Sequence, residues 1–186
     1  MNISVKAASG KYIVRPDTTW EKDNEDFFPP DYISKISFTP VLFARISKPG
    51  KSIGVRFASR YYNSVSYGVL LYPENLIGED PEDLACASCI DHTSFLSEPF
   101  SERECLPGGF RVNAGVTEVF RTDGEGVTAI ENAISEASSR IYMRTGDLVA
   151  IELAPRKALC VREDGNVEVT GFFGDKQVLG FNIIVE

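Results

Sequence analysis

Histidine is nearly missing from this 186-residue chain, which carries only His92. That residue is therefore the only candidate for a histidine general base. Its neighbour Asp91 does not complete a dyad if both lie on a strand, where adjacent side chains point to opposite faces. Basic residues are in deficit as well. Nineteen Lys and Arg against 27 Asp and Glu leave a formal charge of −8. This argues against nucleic acid, because phosphate neutralisation needs clustered cations, and against attraction to an anionic membrane. No apolar run approaches the roughly 20 residues that span a bilayer. The opening Met1-Asn2-Ile3-Ser4-Val5-Lys6 lacks a signal peptide's apolar stretch and small-residue cleavage site, so a cytoplasmic location is expected. A G-x-S-x-G elbow is missing, and Gly124-Glu125-Gly126, with no strand-to-helix pattern around it, reads as a turn. Without repeats, low-complexity segments or linkers, the length predicts one domain over residues 1–186.

Cysteine is scarce, with four residues, but three of them frame the one metal-like spacing. Cys86-Ala87-Ser88-Cys89-Ile90-Asp91-His92, with Cys105 beyond, could supply a Cys₃His zinc site from Cys86, Cys89, His92 and Cys105. Structural zinc motifs usually bring a second close pair, and Cys105 is isolated. In a reducing compartment, small buried hydrophobes are the commoner use of the thiol, and ordinary thiols are expected here. Asp91 beside the pair also disfavours the lowered thiol pKa of a redox C-x-x-C. The acidic run Glu79-Asp80-Pro81-Glu82-Asp83 reads as a solvated turn, with Pro81 opening a short helix whose N-terminus favours acids.

What the chain does have is strand signal. Lys11 to Arg15, Val41 to Ile46 and Val65 to Tyr72 are β-branched or aromatic runs bounded by Gly and Pro. The third is apolar enough to be buried on both faces. Phe110 to Val112 and Thr117 to Phe120 flank Asn113-Ala114-Gly115, a three-residue hairpin loop by pattern. Leu159 to Arg162 and Val167 to Thr170 flank Glu163-Asp164-Gly165-Asn166, whose Asp-Gly step suits a tight turn. Val178 to Val185 closes the chain as a core strand. One long helix is clear at about 128–143, from apolar Ile130, Ala133, Ile134, Ala137 and Ile141 and the capping-box form of Thr128-Ala129-Ile130-Glu131. A weaker helix is expected between Ser52 and Tyr61. The fold class is therefore a mixed, β-rich α+β protein.

A set of separated motifs carries more. They are Arg15-Pro16-Asp17, Phe27-Phe28-Pro29-Pro30-Asp31, Arg45-Ile46, Gly50-Lys51-Ser52-Ile53, Arg56-Phe57-Ala58-Ser59-Arg60-Tyr61-Tyr62, Gly68-Val69 and Thr145-Gly146-Asp147-Leu148. In order and spacing this series resembles the fumarylacetoacetate hydrolase family, especially its short bacterial members. The resemblance implies a β-roll core and a habit of forming dimers. It also implies an activity that cleaves or isomerises carbon–carbon bonds beside carbonyl and carboxylate groups, on a bound Mg²⁺ or Mn²⁺ that stabilises an enolate.

The same resemblance places the family's three metal-binding carboxylates, an E-x-E pair and the aspartate of G-I-D, at Thr39, Val41 and Leu70. Hard dications need oxygen ligands, usually with several carboxylates among them, so the metal site is expected to be lost and no cofactor is expected. The family's substrate-facing lysine falls on Ser88, although the Asp91 of that segment is kept. Its Thr-Gly-Thr-Pro loop falls on Ile151-Glu152-Leu153-Ala154. Its N-terminal H-x-x-E acid–base pair finds no counterpart among the fourteen residues before Arg15.

Two functions remain in contention beside a third, a zinc-stabilised interaction module, which depends wholly on the cysteines. One is a catalytically degenerate pseudoenzyme, a ligand-binding or assembly subunit that forms a homodimer or a heteromer with an active relative. It would keep a residual pocket of Ser88, Asp91, Arg45 and Glu152 for a small carboxylate. The other is an active hydrolase, isomerase or decarboxylase for 2-oxo or diketo acids with a relocated site, which would need an electrophile such as Arg45, Arg56, Arg60 or Lys157.

Overall fold

A computed structural model describes residues 1–97, 101–102, 109–124 and 127–185. Strand residues dominate, as the sequence pattern requires. The elements are β1 (Asn2–Lys6), β2 (Tyr12–Pro16), β3 (Trp20–Glu21), β4 (Lys35–Ile46), α1 (Val55–Ala58), β5 (Tyr62–Pro73), α2 (Pro81–Ala87), β6 (Ser94–Phe95) and β7 (Ser101–Glu102). They continue as β8 (Phe110–Ala114), β9 (Thr117–Thr122), α3 (Val127–Arg140), β10 (Leu148–Glu152), β11 (Lys157–Val161), β12 (Val167–Phe173) and β13 (Lys176–Ile183). The class is β-rich α+β.

Among the described residues the strands form two sheets. The larger runs β2-β1-β10-β4-β5-β6-β3, with β11 also on β4 and β7 also on β5; the smaller runs β13-β12-β8-β9. The two ends of the larger path, β2 and β3, are joined only by the single 3-10 turn Asp17–Thr19. Four residue steps reach at most about 14 Å, so this sheet must curl until its ends nearly meet. It is a roll, close to a barrel. The long β4–β5 antiparallel pair is its spine, with Thr39 opposite Leu70, Val41 opposite Gly68 and Arg45 opposite Ser64.

Because side chains alternate across a strand, the spine serves two cores. Phe38, Leu42, Ala44, Tyr67, Val69 and Leu71 pack outward with Ile130, Ile134, Phe110, Val169 and Phe181 of α3 and the small sheet. Tyr67 stacks on Phe110, and Phe95 on Phe181. Val41, Phe43, Leu70 and Tyr72 point the other way, into the roll, with Ile3, Val5, Leu148 and Ala150. Burial of β5 on both faces, expected from its apolar density, is what the structure has. Helix α3 is held to β1 and β2 by Glu136, which accepts from Lys6 Nζ and the Tyr12 hydroxyl.

The motifs behind the family resemblance turn out to be scaffold. A Cβ on Gly68 would lie 2.3 Å from the Phe95 carbonyl oxygen, and one on Gly50 would lie 2.6 Å from the Tyr61 ring. Asp147 is buried, its carboxylate accepting from the backbone N–H of Asn2 and Arg144. Phe27 bridges to Ile183, and Arg162 donates to the carbonyls of Pro29, Pro30 and Ile33.

Several sequence expectations need correction. The long helix ends at Arg140 rather than near 143, because Met143 leaves to exchange backbone hydrogen bonds with Gly50. The weaker helix shrinks to four residues after Gly54. β8 extends through Ala114, so the hairpin loop is Gly115-Val116. Gly165 does take the positive φ, 82°, expected of the Asp-Gly turn, but β11 pairs with β4 and β12 with β13 and β8, so this turn passes the chain from one sheet to the other. β1 and β10, central to the roll, are missing from the strand pattern read in the sequence. As expected, Pro81 opens a short helix with Glu82 and Asp83 in its first turn.

Candidate functional site

The interior of the roll is the place to look, because it brings together the positions that the family resemblance assigns to chemistry. Thr39 and Val41 are two apart on β4 and share a face, and Leu70 lies directly across from Thr39. All three are fully buried. The triad therefore converges, and it offers one oxygen, the Thr39 hydroxyl, which has no hydrogen-bond partner among the described residues. The adjoining carboxylate is Glu152, in register with Val41 on the neighbouring strand. Both its oxygens are engaged: Oε1 accepts from the Tyr72 hydroxyl at 2.7 Å and Oε2 from the backbone N–H of Ala8 at 2.9 Å. This donor set does not fit a hard dication, which needs several charged or carbonyl oxygens turned inward.

The roll does contain a cation, and it is a side chain. Arg15 is completely buried. Its Nε donates to the Ser88 carbonyl, Nη1 to the Thr93 carbonyl and the Ser94 hydroxyl, and Nη2 to the Leu71 carbonyl at 2.7 Å. The guanidinium lies over the Tyr72 ring, 4.8 Å from its centroid. Arg15 thus links the β2 end of the curled sheet to β5, β6 and the end of α2. Burial pushes its pKa below the ordinary value, while Tyr72 and Glu152 act in the opposite direction. Burial likewise holds the Tyr72 hydroxyl above its usual range, with Arg15 opposing and Glu152 reinforcing. Tyr72 is therefore a hydrogen-bond donor to Glu152 and not a base.

At this end of β10 a cavity of about 430 Å³ opens, lined by Ile13, Leu84, Glu74, Glu152, Arg156 and the Ala7–Ser9 turn. Arg156 donates to Glu74, and its guanidinium lies 5.5 Å from the Tyr72 ring centroid. Ser37 also donates to Glu74. The result is a half-buried polar rim of two carboxylates and one arginine above an apolar, neutral floor.

The expected residual pocket of Ser88, Asp91, Arg45 and Glu152 is not assembled. Glu152 lines the cavity just described. Arg45 is at the far end of the same ladder, opposite Leu148, about 13 Å away by strand rise. Ser88 is buried, its hydroxyl turned back to the Leu84 carbonyl and its own carbonyl given to Arg15. Asp91 is exposed and lines a separate cavity of about 560 Å³ with Phe27, Phe28 and His92. Asp91 and His92 sit in a turn and not on a strand, and His92 has a left-handed backbone with φ 56°. The partner of His92 is Glu21, 2.9 Å from Nδ1, which sequence reasoning missed because 71 residues separate them.

Of the zinc candidates, Cys86 and Cys89 are exposed on and just after α2, Cys89 donating to the Ala85 carbonyl. Cys105 lies outside the described residues. Among those described, no three His, Cys, Asp or Glu side chains are grouped to hold a metal. No described helix is long and apolar enough to cross a membrane. Also missed from the sequence were Arg15, Tyr72 and Arg156. A weak signal existed for Arg15, which alternates with apolar Ile13 on a strand and so shares its inward face.

No family model matches the chain, and no curated protein sequence matches it significantly. Solved structures do. Fumarylpyruvate hydrolase from Pseudomonas aeruginosa, in complex with Mn²⁺ and pyruvate, superposes with a TM-score of 0.83 at 13% identity, covering 100% of this chain and 90% of that one. A Yersinia pestis protein provisionally assigned to the fumarylacetoacetate hydrolase family gives 0.82 at 12% identity, over 98% and 92% of the two chains. The 5-carboxymethyl-2-hydroxymuconate delta-isomerase of Mycobacterium smegmatis gives 0.79 at 12%, over 98% and 78%. At such identities the likeness establishes the fold.

Proposed function

From the premise that this chain has the fumarylacetoacetate hydrolase fold, we propose that it is a catalytically degenerate relative of those enzymes. It is a pseudoenzyme that uses neither Mg²⁺ nor Mn²⁺ and serves as a ligand-binding or assembly subunit. One observation carries this reading: Thr39, Val41 and Leu70 converge on a single buried face with no carboxylate among them. A dication there would shed its water without gaining charged oxygens in return. Arg15 does not substitute as an electrophile, since four of its N–H donors are committed to backbone carbonyls and the Ser94 hydroxyl and the side chain is completely buried. Preorganised electrostatic stabilisation is usually the largest catalytic contribution, and the floor of the roll supplies none to an enolate.

The test is turnover. Purified full-length protein, supplied with fumarylpyruvate or maleylpyruvate and saturating Mn²⁺, should show no hydrolysis above background, and Mn²⁺-dependent turnover would overturn the reading. A second reading, an active enzyme with a relocated site, draws on Glu152 and Arg156 lining one cavity. It requires metal-independent turnover that disappears in Glu152→Gln. As a subunit, the chain would be a single cytoplasmic domain forming a homodimer or a heteromer with an active relative. Arg156 would receive any small carboxylate ligand. Light scattering at micromolar concentration should give a dimer mass. A monomer that also recovers no partner from its native cell would remove the assembly role.

A further inference from the structure

The outer face of the small sheet carries a site unrelated to the roll. Arg111 on β8 lies directly opposite Arg121 on β9 and, on its other side, opposite Phe172 on β12. Like charges directly opposite on neighbouring strands repel, so a bare arginine pair here needs compensation. Arg121 has it: Glu118 accepts from its Nε and Nη2. Arg111 does not. Its guanidinium lies over the Phe172 ring, 4.6 Å from the centroid, and its Nε is buried without an acceptor among the described residues. A buried donor left unpaired is destabilising, and with Nε occluded it is the terminal Nη1–Nη2 end of the guanidinium that is left to meet an oxyanion.

Arg111 and Arg121 line a cavity of about 390 Å³ together with Asp123 and Asp175, closed at one side by the Gly174 N–H bonded to the Gly109 carbonyl. The volume is within the range of small-molecule sites. With two exposed carboxylates on the same lining as the guanidiniums, and Asp123 already acting on Arg121, the cavity does not suit a plain anion, and still less a dianionic phosphate. It suits a molecule that is negative at one end and positive at the other.

We propose that this cavity binds a zwitterionic small molecule of the α-amino acid type, its carboxylate forked on the Nη1–Nη2 end of Arg111 and its ammonium taken by Asp123 and Asp175. The site is independent of whether the roll is catalytic.

Calorimetric titration of the full chain with glycine, L-alanine and L-leucine, each beside the matched acid without the amine and amine without the acid (isocaproate and isoamylamine for leucine), tests it. Inorganic phosphate is the third control. At least one amino acid should bind saturably at one equivalent, with its matched half-molecules and phosphate at least about tenfold weaker. Arg111→Lys keeps the charge but lacks the fork and should weaken amino-acid binding by about tenfold or more. Asp123→Asn and Asp175→Asn, both at exposed positions, should weaken the amino acid while leaving isocaproate unchanged. The proposal fails if none of the three amino acids binds. It fails equally if isocaproate or phosphate binds as well as leucine, or if binding survives Arg111→Lys undiminished.

Discussion

Thr39 and Leu70 face each other across the β4–β5 pair, both wholly buried, and the Thr39 hydroxyl has no partner among the described residues. In a roll of this fold the two positions form the floor. Here that floor is hydrocarbon apart from one stranded oxygen. The pairing makes the position that the resemblance assigns to a metal a question of packing and hydration, which can be measured without knowing any substrate.

A stranded hydroxyl predicts an unusual sign. Thr39→Val is nearly isosteric and removes a buried polar atom that makes no bond, so it should stabilise the protein by about 1 kcal/mol. Urea denaturation of both proteins checks this through the shift in midpoint at constant slope. Destabilisation by about 1 kcal/mol or more would mean that the hydroxyl serves a ligand or a bond within the native protein.

Arg15 should behave in the opposite way. Arg15→Met keeps length and apolar stem but removes four donated hydrogen bonds inside the roll. At about 1 kcal/mol each, the expected loss is about 3–5 kcal/mol. Arg15→Lys should recover less than half of it, because a point ammonium cannot serve acceptors in several directions as the planar fork does. Equal stability of the Arg15→Lys variant and wild type would show that charge alone is required there.

Cys160 supplies a pH dependence. Burial, with a smaller contribution from Asp164, pushes its thiol from an ordinary value near 9 up to about 11. A group whose folded pKa is raised contributes stability that is intact below the unfolded pKa and lost as pH rises through the folded one. Wild type should therefore lose stability relative to Cys160→Ala between about pH 9 and 11, measured by urea midpoints across that interval. In the native state at neutral pH, exposed Cys86 and Cys89 should react with a maleimide while Cys160 does not. Rapid labelling of Cys160 would contradict its burial.

Much of the roll was legible in one dimension. The apolar density of Val65 to Tyr72 implied a strand buried on both faces, and motif spacing around Arg45 and Gly68 placed Thr39 and Val41 on a strand near Leu70, whose direct register with Thr39 only the structure shows. Gly68 is demanded by backbone approach, since a Cβ there would lie 2.3 Å from the Phe95 carbonyl oxygen. What was not legible depended on three-dimensional closure. Arg15 stood in the sequence as part of the Arg15-Pro16-Asp17 motif with no role of its own, because nothing in sequence says that a curled sheet will bring the Ser88 and Leu71 carbonyls to it. Motif correspondence likewise grouped Arg45 with Glu152, although strand rise sets them at opposite ends of β10. Asp164-Gly165 has hairpin chemistry, but the pairing preferences of β11 and β12 overruled it.

The most direct test of a roll floor without metal-binding carboxylates is a Mn²⁺ titration followed by electron paramagnetic resonance, in which free hexaaqua Mn²⁺ gives the signal and bound metal loses it. Wild type should leave added Mn²⁺ free at micromolar concentration. Thr39→Glu/Val41→Glu/Leu70→Asp, less stable without metal because three carboxylates are buried together, should bind about one equivalent and gain thermal stability from it. One equivalent of Mn²⁺ held at micromolar concentration by the wild type, and released by Leu70→Lys in a folded variant, would contradict the account.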